Sequence, residues 1–544
     1  MSNDADLVFL GVDAYTGERR DAGFRSPARA VAVKGNRIVY VGDEGGVDAW
    51  RGPGTRVVDG RGASLLPGFI DSHFHLMHGA LALGDIQLSE VRTLADLEKA
   101  VRAFARENPD LAWLRGQGLR YGIPSPDEPL TRHHLDAIEA NRPLVLIAYD
   151  VHTAWANTAA LEAAGMLHDR HDPAAGTMIG DDGLPAGELR EESAYGTLLA
   201  CIPEIDDARR RRLAREALAW LASLGITSVH NMDGNYGQAA FYAALEDLDQ
   251  MSLRVYVPYT VRPQTPLEAL AGEAAAMRDR FQSGMVRAGA VKFFMDGVYE
   301  SYTAVSLNGY PDQPNDYGAP LFDREHFARM VTEADRLGLQ IFTHACGDGA
   351  VRRVLDGYET AQRTNGKLDG ANASGRHRVE HIEMIHPDDA PRFAQLGVIA
   401  SMQPLHAPLH ENDGDVWIRR VREEDWDRAF AWRTMREAGA TMVFGSDWPV
   451  ALPDPILGIA AAVNRRPWKA GHDSHNQTVA EAIDSYTRDA AYAEFQEDQK
   501  GRIKTGMLAD LVLLTDNIFA VPPQEIADVR VAMTVMDGRV VYER

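Results

Sequence analysis

The sequence predicts an α/β chain built on a (β/α)8 TIM barrel, with a small β-sandwich domain made from both chain termini and an insertion after barrel strand 1. Three observations predict it. Between residues 67 and 499, eight short apolar runs alternate with helical patterns. Residues able to bind a metal or carry a proton sit in or just after five of those runs. The first run is followed by no glycine-rich phosphate loop, which disfavours a doubly wound open sheet.

The elements support this in order. Residues 6–10, 28–33 and 37–41 are strand-like, with Gly35-Asn36 as a hairpin signal between the last two. Residues 509–514 and 531–541 are similar, with Asp537-Gly538 as a turn. Neither end holds a convincing core alone, so 1–66 and 500–544 together are expected to form the β-sandwich. The barrel, 67–499, draws its strands from 67–75, 226–231, 253–260, 290–295, 340–345, 377–382, 398–403 and 441–446. Helical patterns lie between most of them; 210–224 has an apolar face at 3.6 periodicity and Gly225 as its stop. Residues from about 84 to 205 are too many for a simple βα connection. With apolar runs of their own at 112–114 and 143–147, they are expected to form an inserted subdomain near the barrel mouth. The polar stretch 364–375 reads as a surface loop.

Composition narrows the function. The chain has 544 residues, 45% hydrophobic and 25% charged, ordinary for a globular protein. Its 56 basic and 79 acidic side chains leave a formal charge of −23, which argues against nucleic-acid or anionic-membrane partners. No basic leader precedes an apolar stretch, and no run is long enough to span a bilayer. Cys201 and Cys346 are the only cysteines, so no disulfide framework is expected and a cytoplasmic location fits. Cys346 reads as a buried structural thiol.

Asp71-Ser72-His73-Phe74-His75 carries the chemistry. Histidines at i and i+2 lie on one side of a strand and can reach one ion. Alone the pair is weak; with Lys292, His344, His381 and Asp447, it makes six ligand-capable residues on five strands. A protonated lysine cannot donate a lone pair. Lys292 is either salt-bridged to Asp296 or Glu300, or converted by carbon dioxide to a carbamate whose two oxygens can bridge two metals.

The motifs LLPGFIDSHFH, VKFFMDG, FTHACGDGAV, HRVEHIEMIHPDD, IASMQPLHA, FGSDWPV and GRIKTGMLADLVLL resemble the amidohydrolase superfamily. Within it they are most similar to the YtcJ-like group, which includes the N-substituted formamide deformylases. The insertion pieces WLRGQGL, LTRHHLD and HTAWANTAAL resemble that group too, so the similarity covers nearly the whole chain. The resemblance implies two divalent ions, zinc by expectation. It assigns His73 and His75 to the more buried ion and His344 and His381 to the more exposed one. Carbamylated Lys292 bridges both, and Asp447 binds the buried ion and handles the proton. Tyr299 stands where relatives often carry small residues, which leaves the pocket shape open.

The activity implied is hydrolysis of a non-peptide C–N bond, in an amide, N-formyl or N-acyl compound, by a metal-bridging hydroxide. His152, Trp155, Tyr299, Gln403, His406 and Trp448 are the expected substrate contacts for a small-molecule amide, with Tyr302 nearby. Three alternatives stay open. A mononuclear deaminase would use Glu380 or Glu383 and leave Lys292 idle. An ester or lactone hydrolase would share the binuclear site, and a non-catalytic scaffold would need no metal. A homodimer is the expectation from the superfamily.

Overall fold

Eight buried runs pair in parallel and close on themselves in the computed structural model, which describes residues 4–17, 28–125, 128–149, 151–168, 176–366, 375–408 and 416–544. Most of the loop expected at 364–375 lies outside the described residues. The barrel strands are β1 (Phe69–Phe74), β2 (Ile226–Asn231), β3 (Arg254–Thr260), β4 (Val286–Phe294), β5 (Gln340–Ala345), β6 (Arg378–His381), β7 (Ile399–Met402) and β8 (Thr441–Phe444). Each pairs in parallel with the next. A parallel bridge from Phe74 to Trp448, just past β8, brings the last strand back to the first. The chain is therefore a (β/α)8 barrel with added β structure, as its pattern predicts.

Strands covered on both faces need continuous apolar runs rather than alternation. Every residue of β1, β2, β5, β6 and β7 is buried accordingly. The barrel interior is nonetheless polar at several positions: His230, Lys292, Arg378 and Glu380 are all fully buried. Gly225 enters β2 with φ +80°, and a Cβ there would press on Phe69 and Val512.

The two chain ends build two further sheets. Leu7–Leu10, Ala30–Lys34, Arg37–Gly42 and Arg56–Asp59 form one of four strands. Asp13–Ala14 and Ser64–Pro67 join Leu511–Leu514, Val531–Met536 and Arg539–Glu543 in one of five. Phe9, Val31 and Val33 of the first share a core with Leu65, Leu511 and Val535 of the second. Both hairpin turns form where Gly35-Asn36 and Asp537-Gly538 place them, with Gly35, Asp537 and Gly538 at positive φ.

The chain divides into two compact units, and all of the above belongs to the first, Met1–His75 with Leu218–Trp448 and Leu452–Arg544. The second, Leu76–Ala217 with Pro449–Ala451, has its own six-stranded sheet and its own cores around Leu97, Leu146 and Trp155 and around Ala156 and Leu189. Among the described residues no helix is long and apolar enough to cross a membrane.

Candidate metal centre

The C-terminal ends of the strands bring the predicted ligands together, as barrel geometry requires. β1 carries His73 and delivers His75 just beyond its end. β5 carries His344, β6 ends on His381, and Asp447 follows β8. The His73 and His381 rings are 4.6 Å apart and those of His344 and His381 4.4 Å. Two groups of ligand atoms result, each within 4.8 Å: His73, His381 and Asp447, and His344, Cys346 and His381. His381 thus belongs to both groups.

Close backbone packing makes this possible. A Cβ on Gly445 would collide with the backbone of His73, so glycine there lets the end of β8 approach β1. Asp71 then accepts from the backbone N–H groups of His73 and Ser446 at 3.1 and 3.0 Å, locking the strand ends together. Burial pushes Asp71 up to about 7. His381 and Asp447 both sit at positive φ, +75° and +60°. For residues with a Cβ such backbone costs roughly 1–3 kcal/mol, and it gathers at functional sites.

Carboxylates orient the imidazoles. His73 Nδ1 lies 2.8 Å from Glu380 Oε2, and His75 Nδ1 lies 2.7 Å from Asp233 Oδ1. Both rings thereby turn Nε2 to Asp447 Oδ1, at 3.3 and 3.1 Å. Carboxylate-to-histidine contacts of this kind fix the ligand tautomer in metal sites. An anionic oxygen facing two such nitrogens calls for a positive charge between them. The demand shows in His75: burial opposes its imidazolium, yet Asp233 and Asp447 raise it to about 9. In His73, burial wins and lowers the ring to about 4. Asp447 is buried, but His73, His75 and His381 hold its carboxyl well below the usual range.

Lys292 lies in β4 with its side chain fully buried. Its Nζ has no hydrogen-bond partner among the described residues. The sequence alternative of a bridge to Asp296 is not what forms: Asp296 accepts from the backbone of Val305, Cys346 and Gly347 at 2.8, 3.0 and 3.0 Å. Burial lowers Lys292 to about 8 against the pull of Glu380 and Asp447. An unpartnered buried nitrogen, an Asp447 Oδ1 without ordinary hydrogen-bond geometry, and a set of imidazole and carboxylate donors all fit divalent metal. Cys346 is buried as expected, with Sγ 3.4 Å from His344 Nε2, which also lies 3.0 Å from Gly297 O.

The expected substrate contacts divide. His406 stacks on His381 at 6.0 Å, and Gln403 begins the turn that carries it. Trp448 is buried against Phe74 and Trp220. Tyr299 is packed between Tyr310 and Trp417 in the hydrophobic core. Tyr302 hydrogen-bonds Asp312. His152 and Trp155 belong to the second unit, where His152 pairs with Glu191 at 2.8 Å and Trp155 packs on Tyr121. Sequence reasoning missed Asp71, Asp233 and Arg378. It weighed Glu380 only as a general acid or base. The available signal was Arg378 and Glu380 alternating inward in a strand where apolar residues were due.

The chain is similar to several known proteins. The sequence profile of the amidohydrolase family matches residues 56–542. Protein LONG AFTER FAR-RED 3 of Arabidopsis thaliana is 30% identical, over 90% of this chain and 84% of its own. The Bacillus subtilis (strain 168) protein YtcJ is 29% identical, over 90% of this chain and 91% of its own. The N-substituted formamide deformylase of Arthrobacter pascens is 26% identical, over 100% and 99%. In fold, a metal-dependent hydrolase of uncharacterised activity from Pyrococcus horikoshii superposes with a TM-score of 0.73 at 23% identity, covering 95% of this chain and 99% of that one.

Proposed function

Since the chain belongs to the amidohydrolase family and is a metal-dependent hydrolase, we propose that it cleaves a non-peptide C–N bond, in an amide with an N-formyl or N-acyl group, at a binuclear centre. His73, His75, His344, His381 and Asp447 are the ligands in this reading, with carbamylated Lys292 between the two ions and zinc as the expected metal. The observation that carries it is the buried Nζ of Lys292, without a hydrogen-bond partner among the described residues, on the strand next to His344. Carbamylation needs a free amine. The lowered pKa of about 8 makes that form accessible near neutral pH. Carbon dioxide adds to that amine; the new N–C bond releases a proton and leaves a carbamate whose two oxygens share one negative charge, where a bare ammonium would repel metal.

Two ions held there would acidify a water and polarise the substrate carbonyl. The chain's own residues do the rest. Asp447 stays ionised at neutral pH, so it can take the water proton and pass it to the leaving nitrogen, an acid–base role worth roughly 10²–10⁴-fold. Glu380 and Asp233 keep the imidazoles turned toward it. The C–N bond breaks to give an acid and an amine. The similarity to the N-substituted formamide deformylase of Arthrobacter pascens supports a formamide-type substrate. Against the deaminase alternative, Glu380 is held by Arg378 and His73, and Glu383 accepts from Trp417 Nε1.

Metal per chain tests the reading, on protein expressed with zinc and bicarbonate beside Lys292→Ala. Two equivalents, falling in the variant, is the expected result. One equivalent, unchanged by the variant, refutes the binuclear centre. Asp447→Asn is expected to keep metal at saturating zinc yet lose most turnover.

A further inference from the structure

Gln403 is only 2% exposed, and neither its Oε1 nor its Nε2 has a hydrogen-bond partner among the described residues. A buried amide left this way costs on the order of 1–3 kcal/mol. Leucine would fill the place without that cost. The strand pattern shows where the amide lies. Ser401 in β7 points into the barrel, where its Oγ accepts from Arg378 at 2.9 Å. Side chains two apart share a face of a strand, so Gln403 also faces inward, one step nearer the C-terminal mouth. Its neighbours there are β6, ending on His381, and the Gly445–Asp447 turn, whose Gly445 N–H donates to Met402 O at 3.2 Å. His406, whose backbone N–H donates to Gln403 O, stacks on His381. The free amide is thus flanked by the two strands that carry His381 and Asp447.

We propose that Gln403 is the specificity residue for a substrate N–H: its Oε1 accepts from the nitrogen of the scissile bond, selecting secondary amides over tertiary amides and esters. The inference rests on the C–N reading above. An acceptor aimed at the N–H fixes rotation about the acyl–nitrogen bond. It also leaves the nitrogen lone pair, which becomes basic once hydroxide has added to the carbonyl carbon, open to the proton from Asp447. An ester or an N,N-disubstituted amide leaves Oε1 buried and unpaired, and sites built to bond a polar group discriminate strongly against analogues that lack it.

Three matched probes test it: N-butylformamide, N-butyl-N-methylformamide and butyl formate, with metal-loaded wild type and Gln403→Leu. In the variant, the kcat/KM ratio of secondary to tertiary amide is expected to fall at least tenfold, and the ratio of secondary amide to ester with it. Metal content is expected to stay the same and the melting temperature not to drop, since an unpaired polar group has been removed. A proportional loss on all three probes marks a structural role and overturns the inference, as do unchanged ratios; in both cases the C–N reading stands, because the formamide is still cleaved by wild type. Wild type that cleaves only the ester, or none of the three, refutes the C–N reading and the inference with it.

Discussion

Glu380 decides which nitrogen of His73 faces Asp447. Arg378 donates to its Oε1 at 2.8 Å and to its Oε2 at 3.0 Å, and Oε2 also accepts from His73 Nδ1. Burial opposes the charge, but Arg378, His73 and Lys292 hold the carboxyl far below its usual range. Glu380→Gln weakens that hold, because an amide can present its NH2 to Nδ1 and favour the wrong tautomer. The variant is expected to bind metal about 10–100-fold more weakly, the usual cost of losing such a partner. Chelator competition reads this directly; unchanged affinity would mean that packing alone orients His73. Asp233 plays the same part for His75, from a more exposed position.

At the scale of elements, β6 does more than end on His381. Arg378 also bonds His230 Nδ1 of β2 at 2.7 Å, and His230 Nε2 faces Glu494 at 3.3 Å, which meets Lys500 at 2.6 Å. Buried charges thus run through the barrel interior from its base to His73. To accept from Arg378, His230 must be neutral. Burial, with Arg378 and Lys500, lowers it to about 4 despite Glu494. The unfolded chain takes up that proton near 6.5. Between pH 6.5 and 4 the unfolded state binds a proton the fold refuses, so stability is full above this window and declines as pH falls through it. His230→Asn retains an acceptor for Arg378 but cannot titrate. Its stability, followed by urea denaturation, is expected to fall less steeply across that window; an equal slope would place the titration elsewhere.

For the whole molecule, the terminal sheets are tied to the barrel by charge as well as by apolar packing. Arg254, at the start of β3, bonds Asp510 through Nε at 2.8 Å and Nη2 at 3.1 Å, and Asp537 at 2.8 Å. Asp510 precedes the strand Leu511–Leu514 and Asp537 opens the turn of the C-terminal hairpin, whose Thr534 also bonds Ala222 O at 2.7 Å. Removing one partner of a buried pair strands the others. Arg254→Met is expected to cost about 3–5 kcal/mol of unfolding free energy. Replacing the partners as well, with Asp510→Asn and Asp537→Asn, should recover part of that loss. No recovery in the triple variant would assign the effect to packing of the arginine stem. Because the base of β3 lies far along the strands from His73, metal content is expected to hold in all these variants.

The amino-acid pattern by itself determined the barrel, because strands buried on both faces must be apolar throughout and helices between them must be amphipathic. It also determined the terminal hairpins, through residues that tolerate positive φ at Gly35 and Asp537-Gly538. His73, His75, His344, His381 and Asp447 were legible because each falls at the end of such a strand, where a barrel gathers its chemistry. Tertiary structure alone decided their partners. Glu380, Asp233 and Arg378 act across strands, and no local spacing reports a contact 307 residues apart such as Glu380 with His73. The same holds for the aromatic residues: Tyr299 and Trp155 looked like pocket walls, and three-dimensional packing buried each among other rings. Gln403 was legible as a substrate contact, but only the folded surroundings left its amide without a hydrogen-bond partner among the described residues.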